Sequence, residues 1–116
     1  MTLIDTHSHI YYTDYSDCID DVIQSARDAG VEKIISVGVD LATSEECINL
    51  AEKYSSVYAT CGYHPHEAMK APKRYLYELE QLYEHPKVVA VGEIGLDYHY
   101  NFSEPYDQKR VFCEQL

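Results

Sequence analysis

The chain has 116 residues and a formal charge of −11, with 20 acidic side chains against 9 basic ones. A hydrophobic share of 46% and a charged share of 25% describe one globular domain with a real core, not a disordered chain. So acidic a surface repels phosphate backbones and disfavours loose duplex binding through a basic patch; nucleic-acid chemistry here needs local positive charge, which bound metal ions can supply.

In chain order, the first expected strand is 3–9, "LIDTHSH". Side chains alternate along a strand, so Leu3, Asp5, His7 and His9 point one way, with the imidazoles about 7 Å apart at the backbone. At the C-terminal end of a parallel strand, where α/β folds place their sites, two such rings can converge on one cation. Taken alone, HxH is equally a chance pair on a surface turn. A helix follows, with Ser16 as N-cap. Its residues Ile19, Val22, Ile23, Ala26 and Ala29 fall at helical spacing, and Gly30 lies just past the end.

The second expected strand, 33–39, leads into a helix opened by a capping box of Thr43 and Glu46, with Cys47, Ile48, Ala51 and Tyr54 inward. The third, 57–63, runs into "CGYHPHEA", where Pro65 prevents regular helix between His64 and His66. Those two histidines can bind a metal, contact an anionic substrate or cap the next segment. The next helix begins near Pro72, repeats Leu76, Leu79, Leu82 and Tyr83, and stops before Pro86. His85, beside that proline, is expected to meet the last carbonyls of the helix.

The fourth strand, 87–94, runs into "VVAVGEIGLDYHY" at 88–100. Val89, Val91 and Glu93 share a face, so an apolar strand ends by turning a carboxylate inward. A lone buried Glu is costly unless paired or metal-bound. An exposed strand end or a helix-capping role are the other readings. Gly92 and Gly95 flank it and allow close backbone approach. With His7 and His9 also at a strand end, the metal reading is favoured. Asp97 is placed to support a ligand from behind, and His99 reads as a solvated loop residue. A fourth helix starts near Pro105 with "PYDQKRVFCEQL" and shows no stop signal before Leu116.

Cys18, Cys47, Cys61 and Cys113 form no CxxC pair, so buried free thiols in a reducing cytoplasm are expected. No stretch reaches the length of a membrane span, and no basic start marks a signal peptide. Nucleophile-elbow, GxGxxG and Walker patterns are absent. The alternation of strand and helix gives four βα units around a parallel sheet. Scaled to eight units, 116 residues become about 232, near the roughly 250 of a closed barrel. The expected fold class is therefore α/β, with four βα units that make half of a (β/α)₈ barrel. A small open doubly wound sheet is the rival.

Three motifs stand in order: "DTHSH" at 5–9, "GYHPHEA" at 62–68 and "GEIGLDYHY" at 92–100. Together they resemble the TatD family of metal-dependent hydrolases, members of the amidohydrolase-like superfamily of (β/α)₈ barrels. "DQKRVFCEQL" is similar to the family's stretch after the fourth strand, which implies that these are the first four βα units of the (β/α)₈ barrel, with 1–116 as its N-terminal half. The resemblance implies a deoxyribonuclease that cleaves phosphodiester bonds by metal-activated water, using two divalent ions. It implies His7 and His9 on one ion, Glu93 as the catalytic ligand bridging to a second, and His64 near the substrate phosphate. Imidazole and carboxylate ligands suit zinc, manganese or cobalt, with magnesium open for the second position. The implied partner is DNA or a nucleotide, single-stranded or at ends, with no membrane involved.

Family members continue for about four more βα units. These bring two histidine ligands and an aspartate expected to orient the attacking water, and none of those positions lies in this sequence. Two alternatives follow. One is a metallohydrolase of amide or ester bonds on the same fold. The other is a catalytically incomplete half barrel that pairs with a second copy or an absent half through its open edge strands.

Overall fold

A computed structural model describes residues 1–116. Four strands, β1 (Leu3–Ser8), β2 (Val31–Val37), β3 (Val57–Cys61) and β4 (Val88–Val91), alternate with four helices. The helices are α1 (Ile19–Asp28), α2 (Leu41–Lys53), α3 (Tyr75–Tyr83) and α4 (Pro105–Gln115), with 3₁₀ turns at Thr13–Tyr15 and Pro65–Lys70. All three pairings are parallel, in the order β1-β2-β3-β4. Because every strand lies beside its chain neighbour, each right-handed crossover steps the same way and lays its helix on the same face. A doubly wound sheet reverses direction at a switch point, so the rival fold is set aside. The molecule is a run of four βα units, an incomplete barrel.

The two faces of the sheet differ as a period of two demands. Ile34, Val57, Ala59 and Cys61 join Cys47, Ile48, Ala51 and Leu79 of the helices in one apolar core. On the opposite face the edges are open: Leu3, Val89 and Val91 are 40%, 49% and 39% exposed. No helix is long and apolar enough to cross a membrane.

Several element ends differ from expectation. Helix α1 starts at Ile19 with Cys18 at the N-cap and no side-chain cap, because Ser16 Oγ donates instead to Thr13 O of the preceding turn. The capping box of α2 lies one turn earlier than Thr43 and Glu46. Asp40 Oδ1 accepts from Thr43 N–H at 2.8 Å while Thr43 Oγ1 accepts from Asp40 N–H at 3.1 Å, so the helix begins at Leu41. Helix α3 begins at Tyr75 rather than near Pro72. His85 meets the end of α3 through its backbone N–H, which donates to Leu82 O at 3.1 Å, while its ring accepts from Lys87 N–H through Nδ1 and faces Glu52 through Nε2. Of the cysteines, Cys47 and Cys61 are buried, whereas Cys18 is half-buried and Cys113 exposed; all four are free.

Candidate metal centre

The C-terminal ends of the strands carry the polar residues, and the backbone there is drawn tight. A Cβ on Gly62 would stand 2.9 Å from the carbonyl carbon of Gly92, so β3 and β4 meet more closely than any side chain allows. The glycines flanking Glu93 have room around them, since a Cβ on Gly92 meets nothing nearer than 3.7 Å and one on Gly95 nothing within 4 Å, but Gly95 has φ 153°, which a side chain would strain. The close approach is therefore between Gly62 and the expected Gly92, with Gly62 the position that must lack a side chain, and Gly95 takes no part in it. Beyond Gly92 the chain leaves the β4 ladder, and Glu93 N–H bonds to Gly38 O past the end of β2 at 2.8 Å. That bond swings the Glu93 carboxylate over the strand ends.

Three imidazoles surround it. His7 Nε2 lies 3.3 Å and His9 Nε2 3.9 Å from Glu93 Oε2, and His64 Nε2 lies 3.5 Å from Oε1. Ligand atoms of His7, His9 and Glu93 fall within 4.8 Å of one another, a separation one ion can bridge. Strand parity brings His7 and His9 together, their rings 5.2 Å apart, from one end of the sheet, and the β4 turn brings Glu93 from the other.

Hydrogen bonds tell the imidazoles apart. His9 Nδ1 lies 3.0 Å from Val37 O, which only accepts, and 3.1 Å from Tyr11 Oη, so Nδ1 carries a proton and Nε2 is the nitrogen turned toward Glu93. With Nδ1 committed to Val37 O, Nε2 is the atom that His9 would offer to a cation shared with the Glu93 carboxylate. The donor set therefore fits a metal. His64 has the opposite tautomer. Its Nδ1 accepts from His66 N–H at 3.0 Å, which leaves the proton on Nε2 as a donor. Burial holds the His64 imidazole below the ordinary histidine range, with Glu93 pulling the other way.

His66 belongs to a second layer. Its Nε2 bonds Asp97 Oδ2 at 2.5 Å, while Asp97 Oδ1 accepts from the backbone of His99 and Tyr100. Helix α4 holds both loops through two buried amides. Gln108 accepts from Asp97 N–H at 2.7 Å and donates to Asp97 O and Ser103 O. Gln115 accepts from Tyr63 N–H at 2.7 Å and donates to Tyr63 O at 3.2 Å.

The bond from His66, reinforced by the backbone donors, holds the Asp97 carboxyl below its usual range. A carboxylate depressed in the folded state adds stability above its unfolded pKa, and that stability is lost as pH falls through its folded value. Acidification from pH 5 to pH 3 is therefore expected to lower the urea midpoint of the wild type more steeply than that of Asp97→Asn. Parallel slopes for the two proteins refute the pairing.

Of the residues singled out in the sequence, His7, His9, His64 and Glu93 converge on one cleft, which Tyr12 and His66 also line. Asp97 supports His66 rather than one of the three candidate ligands. His99 is an exposed loop residue. The two glutamines escaped the sequence reading. Their only signal was the seven-residue spacing of Gln108 and Gln115 about Val111, which puts all three on the buried face of α4.

The family described as TatD related DNase matches residues 4–116. The uncharacterized metal-dependent hydrolase YabD of Bacillus subtilis is 39% identical over 114 residues, which cover 98% of this chain and 45% of that protein. The 3'-5' ssDNA/RNA exonuclease TatD of Escherichia coli is 41% identical over 97 residues, covering 84% of this chain and 37% of that one. Among solved structures, the TatD homologue YJJV from Escherichia coli superposes with a TM-score of 0.89 at 36% identity. That match covers 97% of this chain and 44% of the other. The chain spans less than half the length of each of these relatives.

Proposed function

This chain belongs to the TatD related DNase family, and from that premise we propose that residues 1–116 form the N-terminal half of a divalent-metal-dependent deoxyribonuclease barrel. His7 and His9 would hold one ion, Glu93 would serve as a ligand to the pair of ions, and His64 would meet the scissile phosphate. The observation that carries this reading is the convergence of the His7, His9 and Glu93 ligand atoms to within 4.8 Å of one another. Two imidazoles and a carboxylate suit zinc, manganese or cobalt, with magnesium possible at the second position. When bound, such ions supply a Lewis acid and an activated water.

The remaining work falls to the chain itself. His64 presents an N–H that donates to a phosphate oxygen. Asp97 fixes His66 behind it, and Gly38 O fixes the backbone of Glu93. Single-stranded DNA or DNA ends are the substrates in this reading, supported by the name of the Escherichia coli relative, a 3'-5' ssDNA/RNA exonuclease. With a net charge of −11, strand binding depends on the ions. A cytoplasmic setting is part of the same reading and accords with four free thiols.

Calorimetric titration with zinc or manganese tests the centre. The wild type is expected to bind, and the His7→Ala, His9→Ala double variant to lose that binding; equal affinity in the two sinks the reading. Phosphodiester cleavage by the chain alone is expected to be weak, because three ligands do not enclose two ions. Cleavage of an amide or carboxylic ester instead would keep the metal and change the substrate class.

A second reading rests on the open sheet edges. Exposed Leu3, Ile4, Val89 and Val91 on β1 and β4 favour a half barrel that pairs with another copy or another half. Sedimentation of a monomer at every concentration opposes self-pairing.

A further inference from the structure

We infer that the stacked Tyr100–Phe102 pair is a subsite for one nucleobase of a single strand whose phosphate lies at the His7–His9–Glu93 centre. The inference rests on the nuclease reading above and adds a substrate contact to it.

The two rings lie nearly parallel, 9° apart with centroids at 5.5 Å, an offset stack. They are nonetheless 60% and 61% exposed. Asn101 between them has φ 52°, a left-handed turn that sets residues 100 and 102 side by side. Single exposed apolar residues are ordinary, but a contiguous aromatic pair fixed in place is not.

The pair is held from both ends. Tyr100 N–H bonds Asp97 Oδ1, and Ser103, directly after Phe102, donates to His66 O while accepting from Met69 N–H. Ser103 is buried, and Gln108 binds its carbonyl. The platform is therefore preorganised and loses little freedom when a ligand covers it.

A short relay of contacts leads from it to the centre. Phe102 stands edge-on to His66 at 4.8 Å, His66 edge-on to His64 at 4.3 Å, and His64 contacts Glu93 at 3.5 Å. A strand with a phosphate beside His64 thus has an adjoining base within reach of the outer face of the stack. Every base has a π-face, so such a platform is sequence-tolerant. It also selects single strands, since bases in a duplex are already stacked on one another.

The test uses the zinc-loaded chain and a phosphorothioate-linked single strand carrying 2-aminopurine, with strand affinity and fluorescence quenching as readouts. The wild type is expected to bind the strand with quenching and the matching duplex more weakly. Tyr100→Leu with Phe102→Leu is expected to weaken strand binding about ten-fold or more and abolish quenching, with zinc affinity unchanged. Phe102→Trp tightens it, and Tyr77→Leu, an exposed aromatic on α3, leaves it unaltered. Unchanged strand affinity and quenching in the double variant overturn the stacking subsite while the metal centre stands. So does a zinc-loaded wild type that binds no strand. Failure of the wild type to bind either zinc or manganese overturns the nuclease reading itself.

Discussion

Glu93→Gln is expected to weaken zinc or manganese binding about 100-fold or more, beyond the 10–100-fold typical of losing a supporting partner behind a ligand. The substitution keeps the shape of the side chain and removes its charge. Glu93 is the only carboxylate in the donor set, and it is the oxygen on which His7 and His9 converge. A neutral amide leaves an ion with two imidazoles and a poor third ligand. Folding should be spared, because the anchoring bond to Gly38 O comes from the Glu93 backbone and survives the change. Calorimetric titration beside urea unfolding separates the two effects. Affinity kept within a few-fold of wild type would show that the carboxylate is not a ligand.

Gln108→Leu is expected to destabilise the fold by about 3 kcal/mol, the scale of stranding buried hydrogen-bonding groups. Gln108 is fully buried on α4, and its amide serves three backbone groups: Asp97 N–H at 2.7 Å, Asp97 O at 2.9 Å and Ser103 O at 2.8 Å. Leucine fills the volume and offers none of these bonds. The loop 97–103 must then find water or rearrange, and it takes with it the carboxylate that holds His66. Urea unfolding reads the overall loss, and amide hydrogen exchange locates it, with faster exchange at Asp97 and its neighbours. Wild-type stability together with a protected Asp97 amide would make the clamp incidental.

The α4 glutamines also mark where reading the sequence stops. Val89 and Val91 on one face, or His7 and His9 on one face, follow from the two-residue period of any strand and need no knowledge of what lies across the sheet. Cys47, Ile48 and Ala51 follow likewise from helical spacing, and the structure buries all three. Ends were less legible. Asp40 and Thr43 took the capping box from Thr43 and Glu46, because both patterns satisfy the same local rule and only the folded backbone chooses between them. The order β1-β2-β3-β4, and with it the meeting of residues 7, 9 and 93, is a matter of which strands pair.

By itself, the amino-acid order determined the βα alternation and the family motifs that contain the candidate ligands, whereas the turn that carries Glu93 beyond β4 belongs to the fold. Tertiary structure alone decided that His9 bears a proton on Nδ1 where His64 accepts at that atom, since each Nδ1 meets a backbone group. For His9 that group is Val37 O, 28 residues away in the chain. It alone decided, too, that Gln108 and Gln115 are buried amides rather than surface polar residues. Side-chain periodicity is a local property of the backbone, whereas the partner of a hydrogen bond is whatever the fold brings within 3 Å.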